Sequence, residues 1–181
     1  MQRVAVIGCG GAGKSTAGRA LGRRLGLPVV HLDEHYWSPG WQSADPAAWR
    51  ARHERLVAAD SWVIDGNYLS TLDVRLDAAD TVVFLDLPAW RCAWQATRRV
   101  LAGRGQANTA PGCPERLDRR HLTFLRYIVW HFPRRSRPPI LRQLAEHAAT
   151  TAVVRLKSPR QVRRFVGTRG RSPERVSRRG E

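Results

Sequence analysis

Eight residues near the start of the chain, Gly8-Cys9-Gly10-Gly11-Ala12-Gly13-Lys14-Ser15, fit the pattern G-x-x-x-x-G-K-[ST]. No other feature constrains the fold as much, because each position works only between a strand and a helix. Glycines let the backbone curl until several N–H groups point into one concavity, a nest for an anion. A lysine at position 14 reaches the outer phosphates of a bound nucleotide, and a hydroxyl at Ser15 is placed to ligate Mg²⁺. The flanks agree. Arg3 to Ile7 is a short apolar run suited to a buried parallel strand. Ser15 to Leu25 reads as a helix with Ala17, Ala20, Leu21 and Leu25 on one side and Arg19, Arg23 and Arg24 outside.

Further strands are predicted at Pro28–Asp33, Trp62–Gly66, Thr81–Pro88 and Ala152–Leu156. Helices are predicted from Asp45-Pro46 to about Ala59, over Ala89–Leu101, Arg116–His131 and Ile140–His147, and from Ser158-Pro159 to about Val166. Leu69–Leu76 reads as a short helix or turn, Gly103–Pro114 as a mobile loop, and Pro133–Pro139 as an interruption. Strands alternating with helices give an α/β fold, a five-stranded parallel sheet covered on both faces. Ligands of such sheets bind beyond the carboxyl ends of the strands. Those ends carry the glycine loop, Asp33, Asp65, Asp86 and Lys157.

Residues 1–166 are expected to form one domain, with a mobile lid at about 98–137. The basic stretch 167–181 is expected to be a disordered tail. No apolar run approaches the ~20 residues of a membrane span, and no secretory pattern opens the chain, so a cytoplasmic monomer or homodimer is expected. Three cysteines without C-x-x-C spacing, Cys9, Cys92 and Cys113, argue against a disulfide framework or a cysteine-rich zinc site. The net charge is +16, concentrated between Arg91 and Arg142, where twelve arginines face only Glu115 and Asp118. Such a field attracts nucleotide phosphates or nucleic acid.

Phosphoryl transfer needs an acid for metal or acceptor, cations around the moving group and a means of excluding water. Asp33 and Asp65 are the acid candidates: either can hold Mg²⁺ or take the proton of an acceptor hydroxyl. An aspartate at a strand end also caps turns, the plainer reading for Asp86. Arg98, Arg99 and Arg104 before the loop, and Arg134, Arg135 and Arg137 after it, are the cation candidates, with Arg98 and Arg134 foremost. Tyr36, Trp37 and Trp41 either stack on a ligand or fill the core, as tryptophan does elsewhere in this chain. His31, His35 and His121 lack metal-ligand spacing and are assigned no role.

Beyond the loop, His31-Leu32-Asp33, Pro39-Gly40-Trp41, Ile64-Asp65-Gly66-Asn67-Tyr68, Asp73-Val74-Arg75-Leu76, Phe84-Leu85-Asp86-Leu87-Pro88, Gly112-Cys113-Pro114-Glu115 and Phe132-Pro133 form a set. With it the chain resembles, from about Val4 to Phe165, adenylate kinase-like P-loop proteins of the DNA topology modulation protein group. The resemblance implies a nucleoside-monophosphate-kinase-like fold with sheet order 2-3-1-4-5 and a helical lid. It implies ATP on Gly8, Gly10, Gly11, Ala12, Gly13, Lys14, Ser15 and Thr16, with Mg²⁺ at Ser15 and at Asp33 or Asp65. The function it implies is an ATP-dependent kinase for a small molecule or nucleotide, or a regulatory ATP-binding protein that binds nucleic acid. Adenylate kinases follow Asp-Gly with Phe-Pro-Arg; here Asn67-Tyr68 follows, and Arg75 is the substitute cation. The second strand ending in Asp33 is closer to shikimate kinase, where an aspartate at that place contacts the acceptor.

Overall fold

Continuous apolar runs in the sequence become strands covered on both faces. The computed structural model describes residues 1–103 and 110–167; Arg104 and the chain beyond Gly167 lie outside the described residues. Strands β1 (Arg3–Gly8), β2 (Val29–His31), β3 (Trp62–Asp65), β4 (Thr81–Leu85) and β5 (Ala152–Leu156) form one parallel sheet in the order β2-β3-β1-β4-β5. This is the expected order. Val4 to Ile7, Val63, Ile64 and Val82 to Leu85 are fully buried at its centre. The α/β class follows from the flanking helices. They are α1 (Lys14–Leu25), α2 (Leu32–Tyr36), α3 (Pro46–Val57), α4 (Leu72–Ala78), α5 (Ala89–Leu101), α6 (Arg119–Arg126), α7 (Arg137–Glu146) and α8 (Pro159–Gly167). No described helix is long and apolar enough to cross a membrane.

Two local expectations are corrected. Strand β2 stops at His31, so Asp33 sits in the first turn of α2 and not at a strand end. Leu32 forces the bend: it is fully buried, and a Cβ on Gly66 would stand 2.8 Å from its Cβ. The segment after α2 forms a hairpin. Trp37–Ser38 pairs antiparallel with Gln42–Ser43 around Pro39-Gly40-Trp41. Pro133–Pro139 does not interrupt the helix. Tyr127–Ser136 continues α6 into α7 as π-helix, with Pro133 inside. Proline has no N–H and its ring clashes with the carbonyl four residues back in an α-turn; wider i→i+5 turns relieve the clash, though the missing donor remains. Ile128, Phe132, Ser136, Ile140 and Leu144 are buried at every fourth residue, a wider repeat than 3.6, and anchor the rod to the core.

Where the rod re-enters α7, Arg137 donates to Asp86 at 2.8 and 3.0 Å, and Arg155 of β5 donates to the same carboxylate at 2.7 Å. Burial works to raise the Asp86 carboxyl, and the two guanidiniums outweigh it and hold it below the usual range. Asp86 therefore ties helix to sheet edge, beyond the turn-forming role its sequence suggests.

Helix α3 starts as its sequence requires. Asp45 accepts from the N–H groups of Ala47 and Ala48 at 3.0 and 2.9 Å, with Pro46 at the first position. The helix buries His53, whose Nδ1 meets Thr71 Oγ1 at 2.8 Å while Nε2 has no partner. Burial, aided by the Arg75 charge, drives this imidazole down to about 3. The unfolded chain takes up a proton near pH 6.5 that the folded chain refuses, so stability falls with acid from pH 6.5 towards 3. At pH 5 the loss is about 2 kcal/mol from this group. Denaturant unfolding between pH 7 and 5 checks it: His53→Asn, which keeps a polar atom near Nδ1 and does not titrate, should flatten that slope. An unchanged slope would remove His53 as its cause.

Candidate functional site

The loop between β1 and α1 presents uncompensated backbone donors. Gly13, at the helix start, is left-handed with φ 88°, makes no side-chain cap, and is followed by no acid in the first turn. The amides there and the positive end of the helix dipole are left for an anion. Gly11 has φ 75°, and a Cβ on it would lie 2.2 Å from the carbonyl oxygen of Cys92, so α5 backs directly onto the loop. Phe124 of α6 covers the other side, since a Cβ on Gly10 would meet its ring at 2.4 Å. Lys14 Nζ donates to Cys9 O at 3.0 Å and is held across the concavity. Gly8, Ala12 and Thr16 complete the loop around these donors, Ala12 N–H returning to Cys9 O at 3.2 Å. Phosphate fits this cradle.

Behind the loop, Ser15 Oγ donates to Asp65 Oδ1 at 3.2 Å. Asp65 is the last residue of β3 and only 3% exposed. It is packed against Gly18, where a Cβ would stand 3.1 Å from Oδ2. His31 ends the neighbouring strand in register with Asp65, and its Nδ1 meets that same Oδ2. The hydrogen bond to Asp65 raises the His31 imidazole against the opposing effect of its burial. A hydroxyl beside a carboxylate is the hard-oxygen pair that suits Mg²⁺ with waters completing its shell. Among the described residues no cluster of three His, Cys, Asp or Glu side chains could hold a metal by itself.

In front of the loop lies a cavity of about 540 Å³. Gly10, Gly11, Lys14 and Ser15 form one wall, and Asp33, Trp37 and Trp41 another. Asp33 Oδ1 accepts from the Tyr68 hydroxyl at 2.6 Å. Burial first, and the Asp33 charge next, raise that phenol, so it stays a donor. Trp37 and Trp41 meet edge to face at 5.6 Å. Trp41 is the one described non-glycine residue with positive φ, 66°. Its indole N–H donates to Pro114 O at 3.4 Å. Three more bonds bridge the tryptophan hairpin to residues 110–120: Gly40 N–H to Gly112 O at 3.0 Å, Cys113 Sγ to Ser38 O at 3.1 Å, and Arg120 to Gly40 O at 3.3 Å.

Of the expected cation candidates Arg99 reaches the cavity, together with Arg116 and Arg120, which were not among them. Arg99 is engaged by Glu115, while no acid pairs with Arg116 or Arg120 among the described residues. Arg98, one helical position away, is exposed on α5 and does not line the cavity. Arg134 is exposed with its guanidinium 4.7 Å from the Trp130 ring centre, also outside it. Arg75 is not a substitute acceptor cation. It is fully buried and donates to the carbonyl oxygens of Gly66, Asn67 and Tyr68 at 2.7, 3.4 and 3.4 Å.

Tryptophan divides three ways: Trp49 and Trp62 are core, Trp37 and Trp41 line the cavity, and Trp90, Trp94 and Trp130 are exposed. His31, Tyr68, Arg116 and Arg120 are site residues that the sequence did not single out, His31 the most informative of them. Metal-ligand spacing was the wrong test for it; strand pairing, which sets the ends of β2 and β3 side by side, was the signal.

No protein-family model and no curated protein matches the chain. Among solved structures it is similar to the shikimate kinase of Acinetobacter baumannii in complex with shikimate, at 17% identity over 92% of this chain and 89% of that one, with a TM-score of 0.53. It is also similar to an unliganded sugar kinase from Janibacter sp. HTCC2649, at 16% identity over 92% and 93%, with a TM-score of 0.50. At these identities the likeness is one of fold, the P-loop kinase fold.

Proposed function

We propose that the protein transfers the γ-phosphoryl group of ATP to a hydroxyl of a small molecule. The observation that carries this reading is that one cavity joins the phosphate loop to Asp33 and two tryptophans. Backbone amides of Gly10, Gly11, Gly13 and Lys14 hold the ATP phosphates, and Lys14 offsets the charge that develops on the transferring group. Ser15 and Asp65 would hold Mg²⁺, which supplies charge neutralisation between the outer phosphates when bound. Asp33 keeps Oδ2 for the acceptor, because Tyr68 occupies Oδ1. It takes the hydroxyl proton as that oxygen bonds to the γ-phosphorus and the bond to the ADP oxygen breaks. Arg116 and Arg120, which pair with no acid among the described residues, cover the equatorial oxygens.

The indoles of Trp37 and Trp41 suit an acceptor with a ring or an apolar face. With Arg75 buried under the Gly66–Tyr68 backbone, the acceptor side has no counterpart to the adenylate kinase arginine. Hydroxylated metabolites are therefore favoured over nucleoside monophosphates, in line with the shikimate and sugar named for the two structural neighbours. A thermal-shift and ADP-release screen with Mg-ATP against both classes tests this. Once an acceptor is found, Asp33→Asn should lower kcat about 10²–10⁴-fold and leave stabilisation by Mg-ATP intact. An undiminished kcat would remove Asp33 as the base.

One observation favours a second reading, an ATP-binding protein that contacts nucleic acid. Trp90 and Trp94 are 66% and 60% exposed on α5, and Arg134 lies over exposed Trp130, in the most basic part of the chain. Exposed tryptophans among arginines can stack on unpaired bases. Binding of a single-stranded oligonucleotide that weakens steeply with salt and is lost in Trp90→Ala/Trp94→Ala would support it.

A further inference from the structure

We infer that His31 is a positioning residue, which acts through Asp65 to set the geometry of the Mg²⁺ site; this rests on the kinase reading above. Asp65 has two oxygens with separate tasks. Oδ1 faces Ser15 Oγ at 3.2 Å, the side on which metal would bind. Oδ2 is engaged by His31 Nδ1. The other ring nitrogen, Nε2, stands 3.5 Å from Arg19 NH1. A carboxylate oxygen can only accept, so a ring proton lies on Nδ1, directed at Asp65. The parallel pairing of His31 with Asp65 puts the two side chains together at the strand ends. Gly18 closes the third side of the carboxylate. The oxygen beside Ser15 is thus fixed by a donor on its twin, from a residue that lines no part of the cavity.

Outer partners that orient a metal-facing ligand typically change metal affinity 10–100-fold when removed. The test is stabilisation of the folded protein by ATP as Mg²⁺ is titrated, a binding readout that needs no acceptor. His31→Ala should raise the Mg²⁺ concentration at half-maximal stabilisation by about tenfold or more. The thermal shift given by ATP in the presence of EDTA should not change, because the loop amides supply it. His31→Asn places an amide N–H near the position of Nδ1 and should restore the midpoint to within about threefold; His31→Gln, whose amide falls nearer Nε2, should not. This Asn/Gln pair carries the comparison even if the alanine variant fails to fold. An unmoved midpoint in His31→Ala, or equal losses in the Asn and Gln variants, overturns the inference while the kinase reading stands. A wild-type protein that ATP does not stabilise, with or without Mg²⁺, overturns both.

Discussion

Lys14→Ala should lower phosphoryl transfer roughly 10²–10³-fold and leave the protein folded. Its ammonium makes one described hydrogen bond, to Cys9 O, on a half-buried surface loop, so folding loses little with it. Function loses much more. On the proposed reading, Lys14 offsets charge that grows as the γ-phosphoryl leaves ADP. The deficit therefore belongs to kcat more than to ATP binding, which the backbone amides retain. Lys14→Arg should not rescue it, because a planar guanidinium does not match the point charge of an ammonium in that space. Single-turnover ADP formation beside a thermal melt separates the two effects. A variant with the wild-type rate, or one that loses rate only by unfolding, would count against the assignment.

The largest expected loss of stability lies at Arg75. Arg75→Ala should cost about 3–5 kcal/mol, a fall in Tm of roughly 10 °C. The side chain is fully buried and bonds three backbone carbonyls in succession, those of Gly66, Asn67 and Tyr68. Burial lowers its guanidinium to about 10, still charged at neutral pH, and Nε has no partner. Alanine would leave those carbonyls without donors and open a cavity below them. The damage should reach the site, because Tyr68 belongs to the same turn and holds Asp33 by its hydroxyl. Denaturant unfolding reads the first effect, and a raised acceptor KM with little change in the KM for ATP reads the second. Arg75→Met, which fills the volume without donating, should recover part of the stability and none of the KM. Recovery of both would make packing the whole explanation.

Where function depends on order along the chain, the sequence was transparent. The phosphate loop is one contiguous run, and five apolar strands with their helices announce themselves by pattern, down to the sheet order. Asp65 could be seen because it ends a strand. What stayed hidden depends on side-chain direction across elements distant in sequence. Arg98 and Arg99 are indistinguishable as text, yet 100° of helix turn puts one in solvent and the other on the cavity. Arg75 looks like a free cation because nothing in Asp73-Val74-Arg75-Leu76 shows that its helix packs beneath the Gly66–Tyr68 turn. Pro133 looks like a break, since a proline's usual effect says nothing of wider turns held by every fourth side chain.

The bridge between the tryptophan hairpin and residues 110–120 bears on how a chain like this acquires a new substrate. Each of its four bonds ends on a main-chain carbonyl, but three of the donors are the side chains of Trp41, Cys113 and Arg120, so the mouth of the cavity depends on side-chain identity at those three positions. Trp37 faces the cavity and takes no part in the bridge. Trp41 does both, and pays for it with a left-handed backbone. Selection for a different acceptor therefore has the more open route at position 37, where ring contacts with Tyr36 and Trp41 are at stake but no bond of the bridge. At position 41 it meets a constraint, because any replacement alters recognition and architecture together.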